Sequence, residues 1–167
     1  MKWIEPVPVI PSGKIPDIYR HSLILGKELI KKGVANPESC EQYLNSLVYK
    51  QTSPFVFKDM EKVVERILRA VSNDETIGIW GDFDVDGQTS TAILMLALSG
   101  INAKTIFHLP IRASESHGMQ LEAFTHFLKA NPALIITCDT GISGHAAINF
   151  ANSRGVDVII TDHHTPP

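Results

Sequence analysis

Thr76-Ile77-Gly78-Ile79-Trp80-Gly81-Asp82-Phe83-Asp84-Val85-Asp86-Gly87 is a short apolar run that ends in an acidic loop bracketed by glycines. The run reads as a strand, and Gln88 opens a helix expected near residues 89–98. Working outward, three further apolar runs stand at 104–109, 134–138 and 156–160, with helical segments expected at 120–129 and 143–153. Strict alternation of strand and helix predicts an α/β fold, a parallel sheet with helices on both faces.

Upstream the style differs. Pro6, Pro8, Pro11 and Pro16 predict an extended arm. A helix is expected over 17–32, stopped by Gly33. Asn36-Pro37 announces a second helix, which would bury Cys40, Tyr43, Leu44 and Leu47. After Ser53-Pro54, Asp59 can cap a third, whose Met60, Val63, Val64, Ile67, Leu68 and Val71 recur at helical spacing. The expected organisation is a small helical N-terminal region at 1–73 before an α/β domain at 74–167.

Composition sets outer bounds. With 167 residues, 44% hydrophobic and 20% charged, the chain suits one sizeable α/β core. A net charge of −3 supplies no global basic field for nucleic acid or membrane. That field is not required of a site that meets phosphate through metal ions. Cys40 and Cys138 form no CxxC pair, the N-terminus has no signal-like apolar run, and no stretch is long enough to span a bilayer. A cytoplasmic protein with no membrane partner is expected.

Open parallel sheets bind ligands beyond the carboxyl ends of their strands, so the residues after each strand decide the chemistry. The first strand is followed by Asp82, Asp84 and Asp86, the third by Asp139 and the fourth by Asp162-His163-His164. One fold rule therefore gathers these acids and imidazoles at a single edge. Crowded carboxylates repel unless protonated or neutralised by a cation. Each motif alone has a bland alternative: an acidic turn, a helix cap, a surface histidine pair. An EF-hand is excluded, because its twelfth loop position is Ile93 and a strand precedes the loop. Carboxylate with imidazole suits Mn²⁺, Mg²⁺ or Fe²⁺ better than structural zinc. The donors suffice for two ions, a recognised arrangement for phosphate ester hydrolysis. Neither a G-x-S-x-G elbow nor a G-x-x-x-x-G-K-[ST] loop occurs.

Gly81-Asp82-Phe83-Asp84-Val85-Asp86-Gly87, Cys138-Asp139-Thr140-Gly141-Ile142-Ser143 and Thr161-Asp162-His163-His164 together resemble the DHH phosphoesterases, and more closely their RecJ-like single-strand DNA exonuclease branch. Pro54-Phe55-Val56-Phe57-Lys58-Asp59-Met60, Pro110-Ile111-Arg112 and His117-Gly118-Met119 extend the likeness over about residues 33–167. The resemblance implies that Asp84 and Asp86 are metal ligands, that Asp139 bridges two Mn²⁺ or Mg²⁺ ions, and that His163 completes the second site. It makes Asp82 a ligand or an orienting acid. His164, with Asp162, positions the ligands, and His164, Arg112 and His117 contact substrate. It implies 5′→3′ digestion of single-stranded DNA in repair and recombination, with helicase or single-strand-binding partners. The alternatives within the fold are a phosphodiesterase for short oligonucleotides or cyclic dinucleotides, and a non-catalytic replication scaffold. Phe83 stands where tyrosine is usual, Thr140 for asparagine or cysteine, Trp80 for a histidine ligand of some relatives, and His117 for tyrosine. Relatives continue with a further metal-binding aspartate and a second domain. The expectation is thus a parent enzyme truncated after its third motif, weak or inactive as residues 1–167.

Overall fold

The computed structural model describes residues 22–34, 36–115 and 118–165, so the proline arm and His117 lie outside the described residues. The chain divides into two compact units, Met1–Val56 and Phe57–Pro167. In the first unit, α1 (Leu23–Lys31) begins at Ser22, whose hydroxyl accepts from the Leu25 amide. Next, α2 (Pro37–Leu44) begins in a capping box in which Asn36 and Ser39 satisfy each other's amides. Leu29, Val34 and Cys40 form this unit's small core. Of the four residues expected to be buried by α2, only Cys40 is. Leu47 is exposed because the helix has already ended at Leu44, and Tyr43 and Leu44 also face outward.

The second unit begins before α3 (Met60–Ser72), which the sequence grouped with the N-terminal region. Helix α3 joins the sheet domain because Ile67 and Ala70 pack against strand residues. Asp59 does not cap it through its side chain. It sits in the left-handed region at φ 67°, and its carboxylate meets Lys62 Nζ at 2.7 Å instead.

Strands β1 (Thr76–Trp80), β2 (Lys104–His108), β3 (Leu134–Cys138) and β4 (Asp157–Thr161) form one parallel sheet in the order β2-β1-β3-β4. Helices α4 (Val85–Ser99), α5 (Leu121–Phe127) and α6 (His145–Ser153) connect them. Period-two alternation divides the core. Ile77, Ile79, Leu134 and Ile136 face α3 and α4, through Ala70 and Leu98. Trp80 and Ile135 face Phe124, Ala147 and Ala151 of α5 and α6. Both faces are thus covered, as an all-parallel sheet requires. Gly78 lets an aromatic ring lie on the strand, since a methyl group there would sit 2.8 Å from Phe127 Cε1. No helix of the described residues is long and apolar enough to cross a membrane.

At the amino edge of the sheet, Arg66 of α3 acts as a clamp. Its Nη1 lies 2.8 Å from Glu75 Oε2 before β1, its Nη2 donates to the Ala133 carbonyl before β3 at 3.1 Å, and its Nε pairs with Asp157 of β4. Asn73 and Arg66 hold the Glu75 carboxyl below its ordinary value. Such a group stabilises the fold above its unfolded pKa, and the contribution is lost as pH falls through the lower folded value. Arg66→Met is expected to cost ~1–3 kcal/mol, because it leaves half-buried acceptors unpaired. Chemical denaturation should show that loss at neutral pH and a smaller one once pH has fallen through the lowered Glu75 value, where that carboxyl is protonated.

Candidate metal centre

The strand order reverses direction between β1 and β3: β1 leads outward to β2, and β3 leads outward to β4. A crevice opens at such a switch point beyond the carboxyl ends of the strands. The loops after β1, β3 and β4 meet there.

After β1, Gly81 bonds across to β2 through its amide and the His108 carbonyl at 3.0 Å. A side chain is excluded at Gly81, where Cβ would stand 2.2 Å from Thr91 Oγ1. The first turn of α4 then sits on the backbone of Asp82, and a Cβ at Gly87 would lie 2.5 Å from the Asp82 carbonyl oxygen. Helix α4 starts at Val85, earlier than the expected residue 89, because Asp84 is its N-cap and accepts from the Gly87 amide at 3.0 Å. Asp86 therefore belongs to the helix's first turn. Asp82 is 7% exposed, and its Oδ1 has no hydrogen-bond partner among the described residues.

After β3, Asp139 occupies the left-handed region at φ 58° while its amide continues the ladder to the Thr161 carbonyl at 2.9 Å. A non-glycine residue there costs ~1–2 kcal/mol, tolerated best by Asp and Asn. The turn aims its carboxylate at the β4 loop. Asp139 Oδ1 lies 3.0 Å from His163 Nε2 and 4.0 Å from His164 Nδ1. One ligand atom each from Asp139, His163 and His164 falls within 4.8 Å of the others. Burial, then repulsion from Asp84, pushes the Asp139 carboxyl above its ordinary value, against the pull of the two imidazoles.

Asp162 serves as the brace. Its Oδ2 accepts from the Ile142 amide at 2.9 Å, and its Oδ1 takes both the His164 amide, at 3.0 Å, and His164 Nδ1, at 2.7 Å. Burial opposes its ionisation, yet these bonds hold its carboxyl below the ordinary value. The same carboxylate raises the His164 pKa.

Two cavities meet at this edge. One of about 350 Å³ is lined by Asp82, Asp139, Thr140, Ser143, Asp162 and His164. The other, about 690 Å³, is lined by Phe57, Lys58, Asp86, Ser90, Asp139 and His163 among others. Asp139 lines both. Six predicted residues thus share one region: Asp82, Asp84, Asp86, Asp139, His163 and His164. Arg112 stands apart from both cavities, with its guanidinium 5.3 Å from the Phe83 ring centroid. Two neighbours of that loop escaped the sequence reading, His108 and Glu115, paired at 2.9 Å. Glu115, three residues after Arg112, was visible in the sequence, but its partner in the preceding strand was not.

The donor set fits divalent metal. Five carboxylates converge, and among the described residues none has a lysine or arginine within ion-pair distance; Asp139 and Asp162 pair with the two imidazoles. Asp82 Oδ1 is buried and, among the described residues, has no hydrogen-bond donor to offset that burial. Asp82, Asp84, Asp86, Asp139 and His163 are the groups that could supply ligands to a divalent ion.

Fold and donors together define a parallel α/β domain with a carboxylate–imidazole centre at its switch point. Residues 76–167 match the model of the DHH family, N-terminal domain, and the chain belongs to that family. It is 38% identical over 138 residues to the single-stranded-DNA-specific exonuclease RecJ of Bacillus subtilis (strain 168), covering 83% of this chain and 18% of that one. Its identity to the Escherichia coli (strain K12) RecJ is 34% over 145 residues, 86% of this chain and 24% of the relative. Among solved structures, an exonuclease RecJ bound to manganese superimposes with a TM-score of 0.62 at 35% identity, over 66% of this chain and 28% of that one. RecJ from Thermus thermophilus in complex with Mn²⁺ also gives 0.62, at 28% identity over 83% and 18% of the two chains. The chain thus spans about a fifth to a quarter of the length of these curated relatives.

Gly87→Ala is expected to lower stability by ~1–3 kcal/mol, because the new methyl meets backbone rather than a movable side chain. Thermal unfolding reads that loss, and a variant as stable as wild type would contradict the packing described.

Proposed function

We propose that this chain carries the metal-binding part of a phosphodiester hydrolase that digests single-stranded DNA from the 5′ end, in repair and recombination. The observation that carries the reading is Asp139, a carboxylate at the end of a central strand that faces His163, lines both cavities and is crowded by Asp84. Similarity to exonucleases named for single-stranded DNA supports the substrate class. Manganese in the related structures supports Mn²⁺ or Mg²⁺, two ions in the complete site.

In this reading Asp84, Asp86, Asp139 and His163 would hold the ions, and Asp139 would serve both. Asp82 is a ligand or orients one. When bound, such ions neutralise charge developing on phosphoryl oxygens. The chain's own residues fix the arrangement. Asp162 pins the His164 ring through Nδ1, and the Ile142 amide pins Asp162 in turn. Burial of Asp82 and Asp139 keeps water from screening them. Arg112, His117 and His164 are the side chains proposed to contact substrate, and helicase or single-strand-binding proteins the proposed partners.

Calorimetric titration of Mn²⁺ into the chain should show binding, abolished by Asp139→Ala of unchanged melting temperature. Asp162→Asn should weaken binding by ~10–100-fold, as loss of an orienting partner does. Absence of binding both in this chain and in the full-length protein would sink the metal reading. On the full-length protein, Mn²⁺-dependent shortening of long 5′-labelled single strands is expected. Digestion confined to short oligonucleotides or cyclic dinucleotides would instead favour the phosphodiesterase alternative.

A further inference from the structure

The loop after β2 is built more tightly than an exposed arginine needs. Pro110 is buried and fixes the departure of the chain from the strand. The Ile111 carbonyl then accepts from the Ser114 amide at 2.9 Å and the Glu115 amide at 2.8 Å, closing the turn. The Glu115 side chain reaches back over it. Oε1 accepts from the Ile111 amide at 3.4 Å, and Oε2 meets His108 Nε2 at 2.9 Å. His108 is itself anchored: its ring stacks on the buried Trp80 at 4.2 Å, and Phe124 and Phe127 meet Trp80 edge-on at 5.3 and 5.5 Å. A chain of contacts therefore runs from the sheet core through Trp80, His108 and Glu115 to the Ile111 amide.

Arg112 follows at once, exposed, with its guanidinium 5.3 Å from the centroid of Phe83. Phe83 lies between Asp82 and Asp84, so this cation stands over the loop that carries two of the acids. An arginine on an unbraced loop would spread over many rotamers. Here the backbone is held from one side and the guanidinium by the ring from the other.

We propose that Glu115, bonded to His108 and to the Ile111 amide, is a positioning residue that holds Arg112 over Phe83 to receive a phosphate oxygen of the nucleic-acid strand. This rests on the nuclease reading above. Glu115 touches neither substrate nor metal; it acts by keeping the Arg112 backbone in place. Loss of Glu115 therefore has a consequence only while Arg112 is present.

A double-mutant cycle on the full-length, Mn²⁺-loaded protein tests this with a 5′-phosphorylated oligothymidylate as substrate. Arg112→Ala and Glu115→Ala should each raise KM by about tenfold with kcat nearly unchanged, and the double variant should match the single ones rather than multiply them. Glu115→Gln, which keeps an oxygen for the Ile111 amide, should recover most of the loss. His108→Phe keeps a ring on Trp80 but drops the bond to Glu115, so it should raise KM in the same non-additive way, and it serves where Glu115→Ala does not fold. Multiplying effects in the double variant, or an unchanged KM in Glu115→Ala and His108→Phe, overturn the proposal and leave the nuclease reading intact. A wild-type protein that does not shorten the strand overturns both.

Discussion

Carboxylates gathered at one strand edge repel one another, and the rest of this domain is arranged around that repulsion. Asp82, Asp84, Asp139 and Asp162 belong to three loops, and Asp86 to the helix turn that follows the first of them, all meeting where the sheet order reverses. At the opposite edge the charges are handled differently. Arg66 gathers Glu75, Asp157 and the Ala133 carbonyl, so that acids brought together by the same strands are neutralised within the chain. At the carboxyl edge, among the described residues, only the imidazoles of His163 and His164 pair with the acids. The contrast assigns the two ends different work: one clamps the sheet, and the other is left with negative charge that a bound cation can offset.

The clustering is reached at a backbone cost. Asp139 must leave β3 in the left-handed region to face the β4 loop, and Gly81 and Gly87 must lack side chains for the first turn of α4 to rest on Asp82. Asp139 meets that demand less well than glycine and better than a branched residue. Its carboxylate is the reason to accept the strain, since a glycine there would relax the turn and remove the carboxylate that faces His163 and, with Asp162, lines both cavities.

The sheet and the acid edge were legible in the sequence because each rests on a short-range signal. Apolar runs mark buried parallel strands, and the placement of Asp82, Asp139 and Asp162 immediately after them follows from counting. The start of α4 was less legible. Apolar residues on all sides of it blur the helical period, and Asp84 reads equally well as a ligand or a cap. In the structure one of its oxygens accepts from the Gly87 amide, which is the cap role. Contacts between distant residues could not be read at all. Arg66 and Asp157 are 91 positions apart, and nothing in the neighbourhood of either announces the other. The apolar stripe of α3 hid a different fact: Val64 and Leu68 share its spacing yet remain exposed, while Ala70, outside the stripe, is fully buried. Periodicity finds a face but does not find its centre.

Strand order also bears on the arginine proposed to contact substrate, which comes from the β2 loop. The strands that flank the switch point, β1 and β3, send their loops straight into the crevice and carry acids. Strand β2 lies one position further out, and its loop meets the acidic loop at Phe83 rather than in the crevice. A short acidic side chain there would fall outside the cluster. A long arginine extends over Phe83, and its charge is opposite to that of the loop beneath it. The requirement then shifts from charge to placement, because a long side chain is useful to a phosphate only if its backbone is held still. Trp80 meets that requirement from the core side: in this chain the position carries an aromatic platform for His108, and through it the β2 loop is fixed to the same strand that presents Asp82.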